Sequence, residues 1–293
     1  MGLSFTLRQP LANTGRETTS RRKVLVTGAT GNIGSYFAEH CHERYELRLM
    51  VHDDDDDAKK VEEFGEVVTG DVANLDEMKR LCAGIDTVLH LAANASPDAT
   101  WDELLTPNIV GAYNMCVAAK SAGCRRLIYA SSIHAASGYP PDVQVKTSEP
   151  VNPGDLYGVT KCFGEALGRY FAEKEGLSVI ALRIGAFQPI ESARQEENIW
   201  MLDAFVSQRD LTQLITRCID DEQLQFAIFN GLSNNRFKRL DISAARELVG
   251  YEPQDDFAEE HPQLEPTELS EDVRAHSKAD ASQKSGIRKD VGS

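Results

Sequence analysis

Tyr157 and Lys161 stand four residues apart in Tyr157-Gly158-Val159-Thr160-Lys161. On a helix this spacing puts both side chains on one face. A free phenol ionises at about pH 10, and an adjacent ammonium favours its phenolate. A phenolate can take the proton of a hydroxyl group while a hydride leaves the same carbon for an acceptor. The spacing by itself occurs on many helices, so it gains meaning only from its company. Ser131-Ser132-Ile133-His134 closes an apolar run upstream, and Asn108 lies earlier still in Pro107-Asn108-Ile109-Val110-Gly111.

A second constellation supplies the acceptor. Thr27-Gly28-Ala29-Thr30-Gly31-Asn32-Ile33-Gly34 follows the apolar run Lys23–Thr27 and opens a helical pattern. Gly28 permits the tight turn, Gly31 lets backbone approach a pyrophosphate, and Gly34 lets helix pack on strand. The helix N-terminus then offers free N–H groups and the positive end of a dipole. Thr30, Asn32 and Ile33 fill the rest of this dinucleotide loop. The second strand ends at Met50-Val51-His52 and runs into Asp53–Asp57. A carboxylate there bonds ribose hydroxyls and repels a 2′-phosphate, so Asp53 points to NAD rather than NADP. Asp71, beside Val72 and just past the third strand, either faces the adenine or caps the next helix.

These groups need a scaffold that brings strand ends together. Apolar runs at Lys23–Thr27, Glu46–Val51, Glu66–Thr69, Asp86–Leu91, Arg126–Ala130 and Ser178–Arg183 predict six strands. Helical patterns fill the gaps, most clearly Trp101–Ser121 and Asp155–Glu175. Strands alternating with helices predict an α/β fold, a doubly wound parallel sheet of Rossmann type. Further along, the pattern predicts helices at 198–206, 209–221 and 242–249 and a strand at 225–229. These form a small C-terminal substrate-covering subdomain.

Composition narrows the field. The chain has 293 residues, with 46 Asp plus Glu against 31 Lys plus Arg and a net charge of −15. That balance argues against a nucleic-acid partner and against an electrostatic membrane anchor. No apolar run is long enough to span a bilayer. Six cysteines without CxxC spacing predict reduced thiols, no metal site and a cytoplasmic location. Residues 1–20 are expected to be a disordered extension, although the Gly2 context fits an acylation pattern and the Arg content a transit segment. Residues 21–255 form one NAD(P)-binding Rossmann domain, with substrate elements mainly in 184–255. Residues 256–293 are expected to be a disordered acidic tail.

The five motifs, in this order and spacing, resemble the extended short-chain dehydrogenase/reductase family over about residues 22–190; the fifth is His90-Leu91-Ala92-Ala93. The resemblance implies Tyr157 as catalytic base and Lys161 as its modifier and ribose ligand. It implies Ser132 as the hydroxyl that polarises the substrate oxygen, and Asn108 as anchor of a proton-relay water. It also implies cofactor contacts at Leu91, Ala92 and Ala93, and pairing of two subunits through the helices carrying Tyr157 and Trp101.

Within the family, Leu156–Phe171, Ala130–Ala135, Leu182–Pro189 and Leu248–Glu259 are similar to the uronate dehydrogenases and to a related NAD-dependent glucose-6-phosphate dehydrogenase. These oxidise the anomeric carbon of a pyranose and release a lactone. Such relatives read Ser-Ser-Asn-His where this chain reads Ser-Ser-Ile-His, and Ile133 cannot donate an amide hydrogen bond to a sugar hydroxyl. The implied substrate contacts are Ser96, Ser132, Ile133, His134, Tyr157 and Arg183, with Arg183 pairing a carboxylate or phosphate. The expected activity is NAD-dependent oxidation of a hexuronate or similar aldose derivative. The alternatives are glucose-6-phosphate oxidation, nucleotide-sugar epimerisation or dehydration, and a non-catalytic NAD-binding regulator.

Overall fold

The computed structural model describes residues 21–52 and 56–264, with backbone alone at Leu7–Arg8 and Asp56. In chain order the strands are β1 (Leu7–Arg8), β2 (Lys23–Thr27), β3 (Glu46–Val51), β4 (Glu66–Thr69), β5 (Thr87–His90), β6 (Arg126–Ser132), β7 (Ser178–Ile184), β8 (Ala186–Gln188), β9 (Phe205–Ser207) and β10 (Leu224–Gly231). The helices are α1 (Asn32–Cys41), α2 (Leu75–Leu81), α3 (Trp101–Leu104), α4 (Gly111–Ser121), α5 (Leu156–Tyr170), α6 (Gln208–Asp220), α7 (Ser243–Val249) and α8 (Phe257–Glu260). The main sheet has the order β1-β10-β7-β6-β5-β2-β3-β4. All its pairings are parallel except β1 against β10.

Each inner strand is apolar on both faces because helices cover both. Val24 and Val26 of β2 pack with Phe37 of α1. Leu25, between them, packs with Val88, Leu127 and Met115 on the opposite face. Strand order reverses between β3 and β5, which flank β2 on either side. The crevice at that reversal, at the carboxyl ends of the strands, is where such sheets bind ligands.

The predicted helix Trp101–Ser121 is one helical run with a widened turn in it. Residues Leu105–Val110 are π-helical between α3 and α4. Pro107 has no N–H to give and its ring crowds the carbonyl four residues back, which opens the turn. Asn108 lies inside that turn and is buried. Asp155 caps α5, its Oδ1 accepting from Gly158 N at 2.7 Å, and α5 runs into a second π turn, Phe171–Glu175.

Three expectations need correction. The helix expected over 198–206 is instead a 3₁₀ turn, Glu196–Met201, followed by β9. Strand β9 pairs in parallel with β8 in a separate two-stranded sheet, held by Ala186 N donating to Ala204 O at 2.8 Å. Phe205 and Val206 are fully buried, so tertiary packing overrides the helical pattern. The tail expected from residue 256 is folded as far as Leu264. Phe257 is buried against Phe205 at 5.6 Å and His261 at 5.1 Å, and its N–H donates to Asn235 Oδ1 at 3.0 Å. Within the extension expected to be disordered, Leu7–Arg8 adds an antiparallel edge strand to β10. The rest of 1–20 and 265–293 lies outside the described residues.

Candidate active site

The glycine loop sits at the strand-order reversal. Gly28 has φ +67°, and a Cβ there would meet Ala92 N at 3.0 Å. A Cβ on Gly34 would meet Gly28 O at 2.3 Å, so α1 rests directly on the loop. Thr27 fastens the loop to the next strand: its Oγ1 accepts from Leu91 N and Ala92 N, each at 3.1 Å. The same hydroxyl lies 2.8 Å from His90 Nδ1. Burial, aided by the charge of Lys161, pushes His90 down to about 3, so its imidazole stays neutral. Thr27 and His90 are therefore the clamp across β2 and β5.

Helix α1 has Gly31 as its N-cap, so it has no side-chain cap, and it carries no acid in its first turn. Its leading N–H groups and positive dipole end are open to an anion, as a pyrophosphate requires. Leu91 and Ala93 line the adjoining cavity with Ile33. Val72 is buried, and its carbonyl accepts from Asn114 Nδ2 at 2.9 Å. Asp71 is exposed and its Oδ1 accepts from Ala73 N at 2.9 Å, which shapes the turn after β4. Asp53, expected on the ribose, lies outside the described residues.

The residues expected to be catalytic converge at the C-terminal end of β6 and the first turns of α5. Ser132, Tyr157 and Lys161 line one cavity of about 320 Å³. Ser132 hydrogen-bonds Tyr157, and its Oγ accepts from His134 N at 3.2 Å. A Cβ on Gly158 would meet His134 O at 2.3 Å, so only glycine lets α5 close on this turn. Burial raises the Tyr157 phenol above its usual range, and the Ser132 hydrogen bond opposes that rise. Burial pushes the Lys161 ammonium down to about 7. Its Nζ lies 5.4 Å from the centre of the Tyr157 ring and 5.2 Å from that of Tyr129. No hydrogen bond or ion pair within the described residues satisfies it. An unpartnered buried ammonium beside an uncapped helix fits the sugar hydroxyls of a dinucleotide.

Asn108 is held in a buried network. Its Nδ2 donates to Asn94 O at 2.9 Å and Thr160 Oγ1 at 3.0 Å, and its Oδ1 accepts from Asn94 N at 2.8 Å. Both amide protons are engaged, so its side chain ties the β5–α3 loop to α5.

Arg183 requires correction. It is fully buried, and Nε and Nη2 each donate to Glu165 carboxylate oxygens at 2.8 Å. Ser131 Oγ donates to the same carboxylate at 2.7 Å. Arg183 therefore lies below the cavity in a paired network and does not line it, because its neighbours on β6 and β10 enclose it. Ser96 is exposed away from the cavity lining, and its Oγ accepts from Asp98 N at 3.3 Å. Ile133 and His134 do line the cavity. Asp155 Oδ2 is 2.6 Å from His134 Nδ1, and the His134 ring meets Tyr157 edge-on at 5.3 Å.

Thr27, Asp155, Thr160, Glu165 and Trp200 belong to the site or its support and are not singled out by the sequence alone. Asp155 carried a signal, as an N-cap residue just before the helix. Trp200, on the 3₁₀ turn that replaced the expected helix, lines the cavity with Phe187 and Ala204.

The family model described as NAD dependent epimerase/dehydratase family matches residues 24–227. The chain is similar to an NAD-dependent glucose-6-phosphate dehydrogenase of Haloferax volcanii, 33% identical over 80% of this chain and 94% of that protein. It is similar to an L-arabinose 1-dehydrogenase (NAD(P)+) of the same organism, 32% identical over 80% and 98%. The crystal structure of uronate dehydrogenase from Agrobacterium tumefaciens superposes with a TM-score of 0.73 at 29% identity, covering 89% of this chain and 93% of that one.

Proposed function

The chain belongs to the NAD-dependent epimerase/dehydratase family, and from that premise we propose that it is an NAD-dependent sugar 1-dehydrogenase. It oxidises the anomeric carbon of an aldose or aldose derivative to a lactone. The observation that carries this reading is the convergence of Ser132, Tyr157 and Lys161 on one cavity beside the open N-terminus of α1. When bound, NAD supplies the hydride acceptor. Ser132 Oγ and Tyr157 Oη hold the C1 hydroxyl, and Tyr157 Oη takes its proton. The Lys161 ammonium favours the phenolate and offers its free donors to ribose hydroxyls. Gly28, Gly31 and Gly34 let backbone approach the phosphates.

The test is net NADH formation on mixing NAD with free aldoses, uronates and glucose 6-phosphate. A nucleotide-sugar epimerase would recycle its NAD and release none. NAD binding without turnover on any sugar would overturn the catalytic reading.

Two subunits pair through α4 and α5 in this reading. Leu156, Val159 and Tyr170 on α5 and Trp101 and Tyr113 on the adjoining helical run are large, apolar and exposed, as an interface face would be. Val159→Glu should convert a dimer to a monomer in light scattering. A cytoplasmic location accords with six free cysteines. Among the described residues no helix is long and apolar enough to cross a membrane.

A further inference from the structure

We infer that the substrate is a neutral aldose, neither a uronate nor a sugar phosphate, and that Trp200 is the platform on which its ring lies. This rests on the sugar 1-dehydrogenase reading and narrows it.

The first support is the placing of cations. Among the described residues lining the cavity, Lys161 is the one Lys or Arg, and Tyr157 and the dinucleotide ribose claim it. Arg183 is fully buried outside the cavity lining, where Nε and Nη2 donate to Glu165 and Nη1 meets no partner among the described residues. Arg239 lies beyond Ile133 in a smaller cavity that it shares with Asp203, and its guanidinium donates to the carbonyls of Ser137 and Tyr139. An anionic substituent would lose its hydration with no opposite charge to meet it. The net charge of −15 adds a field of the wrong sign.

The second support is the polarity of His134. Its Nδ1 is 2.6 Å from Asp155 Oδ2, so the Asp155 carboxylate stands directly behind the ring. An anionic substituent at the ring would face that charge, whereas a neutral hydroxyl would not.

The third support is the indole. Trp200 is 65% exposed, although Met201 next to it is buried with Phe205 and Phe257. The turn is thus anchored while the ring stays open at the cavity wall. An aromatic face beside Ala186 and Ala204 suits the C–H face of a pyranose or furanose, and a few polar groups beyond it fix orientation.

The experiment measures kcat and KM with saturating NAD for glucose, galactose, xylose and arabinose against galacturonate, glucuronate and glucose 6-phosphate. The best neutral sugar should exceed every anionic one by at least about tenfold in kcat/KM, since each unpaired charge is costly to bury. Trp200→Ala should raise KM for that sugar by about tenfold with kcat little changed, and Trp200→Phe should restore most of it. An anionic sugar preferred over the neutral ones overturns the inference while leaving the dehydrogenase reading intact. So does an unchanged KM in Trp200→Ala. No NADH from any sugar overturns both.

Discussion

The cavity floor at Lys161 and the layer beneath it at Arg183 each bury a cation, and they treat it in opposite ways. Arg183 meets the Glu165 carboxylate with two hydrogen bonds of 2.8 Å, and Ser131 Oγ completes the network. The pairing raises Arg183 further into its charged range, against the burial that opposes it. Lys161 has two aromatic rings beside it and no ion pair among the described residues, and burial drives it down to about 7. A buried charge with its counter-charge supports the fold. A buried charge without one is held at a cost in stability, and such positions cluster where ligands bind.

Removing the chemistry of the upper layer should have the largest effect. Tyr157→Phe deletes the proposed proton acceptor and should lower kcat by about 10⁴-fold, while the melting temperature stays within about 2 °C. Near-normal turnover in that variant would sink the mechanism. Glu165→Ala does the reverse to the lower layer. It strands Arg183 and should cost about 3–5 kcal/mol in denaturant unfolding. Replacing both partners, Glu165→Leu with Arg183→Met, should recover much of that loss. A loss in the double variant as large as in the single one would mean that the pair matters for more than mutual neutralisation.

Lys161→Met sharpens the contrast, since it should cost activity and raise stability together. The ordinary lysine value of 10.5 falls to about 7 on folding. Between those values the unfolded chain holds the extra proton, so wild-type stability rises with pH across that window. The variant should therefore melt a few degrees higher than wild type, without NAD, at and below about pH 7. Its advantage should shrink as pH approaches about 10. A lower melting temperature throughout would mean that Lys161 has a stabilising partner. The smallest effect expected is that of Asp155→Ala, which removes the cap of α5 and the partner of His134. About 1 kcal/mol of stability should go with the cap, and KM should rise more than kcat falls.

The cofactor half of the molecule was legible because its signals are local. GxxGxxG after an apolar run, YxxxK on a helix and the strands from Lys23 to Arg183 each state their structure within a few residues. The first three strands match the structure residue for residue. The half beyond Arg183 was read less well. A period that fits a helix over 198–206 gave way to β9, because Phe205 and Val206 are drawn into packing with Phe257, far along the chain. The folded end at Leu264 escaped for the same reason, since a mostly acidic segment hides one anchoring phenylalanine.

By itself the sequence determined the fold class, the dinucleotide loop and the Ser132, Tyr157 and Lys161 set, for these rest on glycine sterics, strand–helix alternation and helical spacing. Only the tertiary structure decided which polar groups are free to act. Asn108 and Arg183 have the right chemistry, but Asn94 and Thr160 take both Asn108 amide protons, and Glu165 holds Arg183 outside the cavity lining. Lys161, with no such partner, keeps its donors for a ligand. A side chain's type fixes what it can bond, whereas its bonds depend on neighbours that approach only when distant parts of the chain pack together.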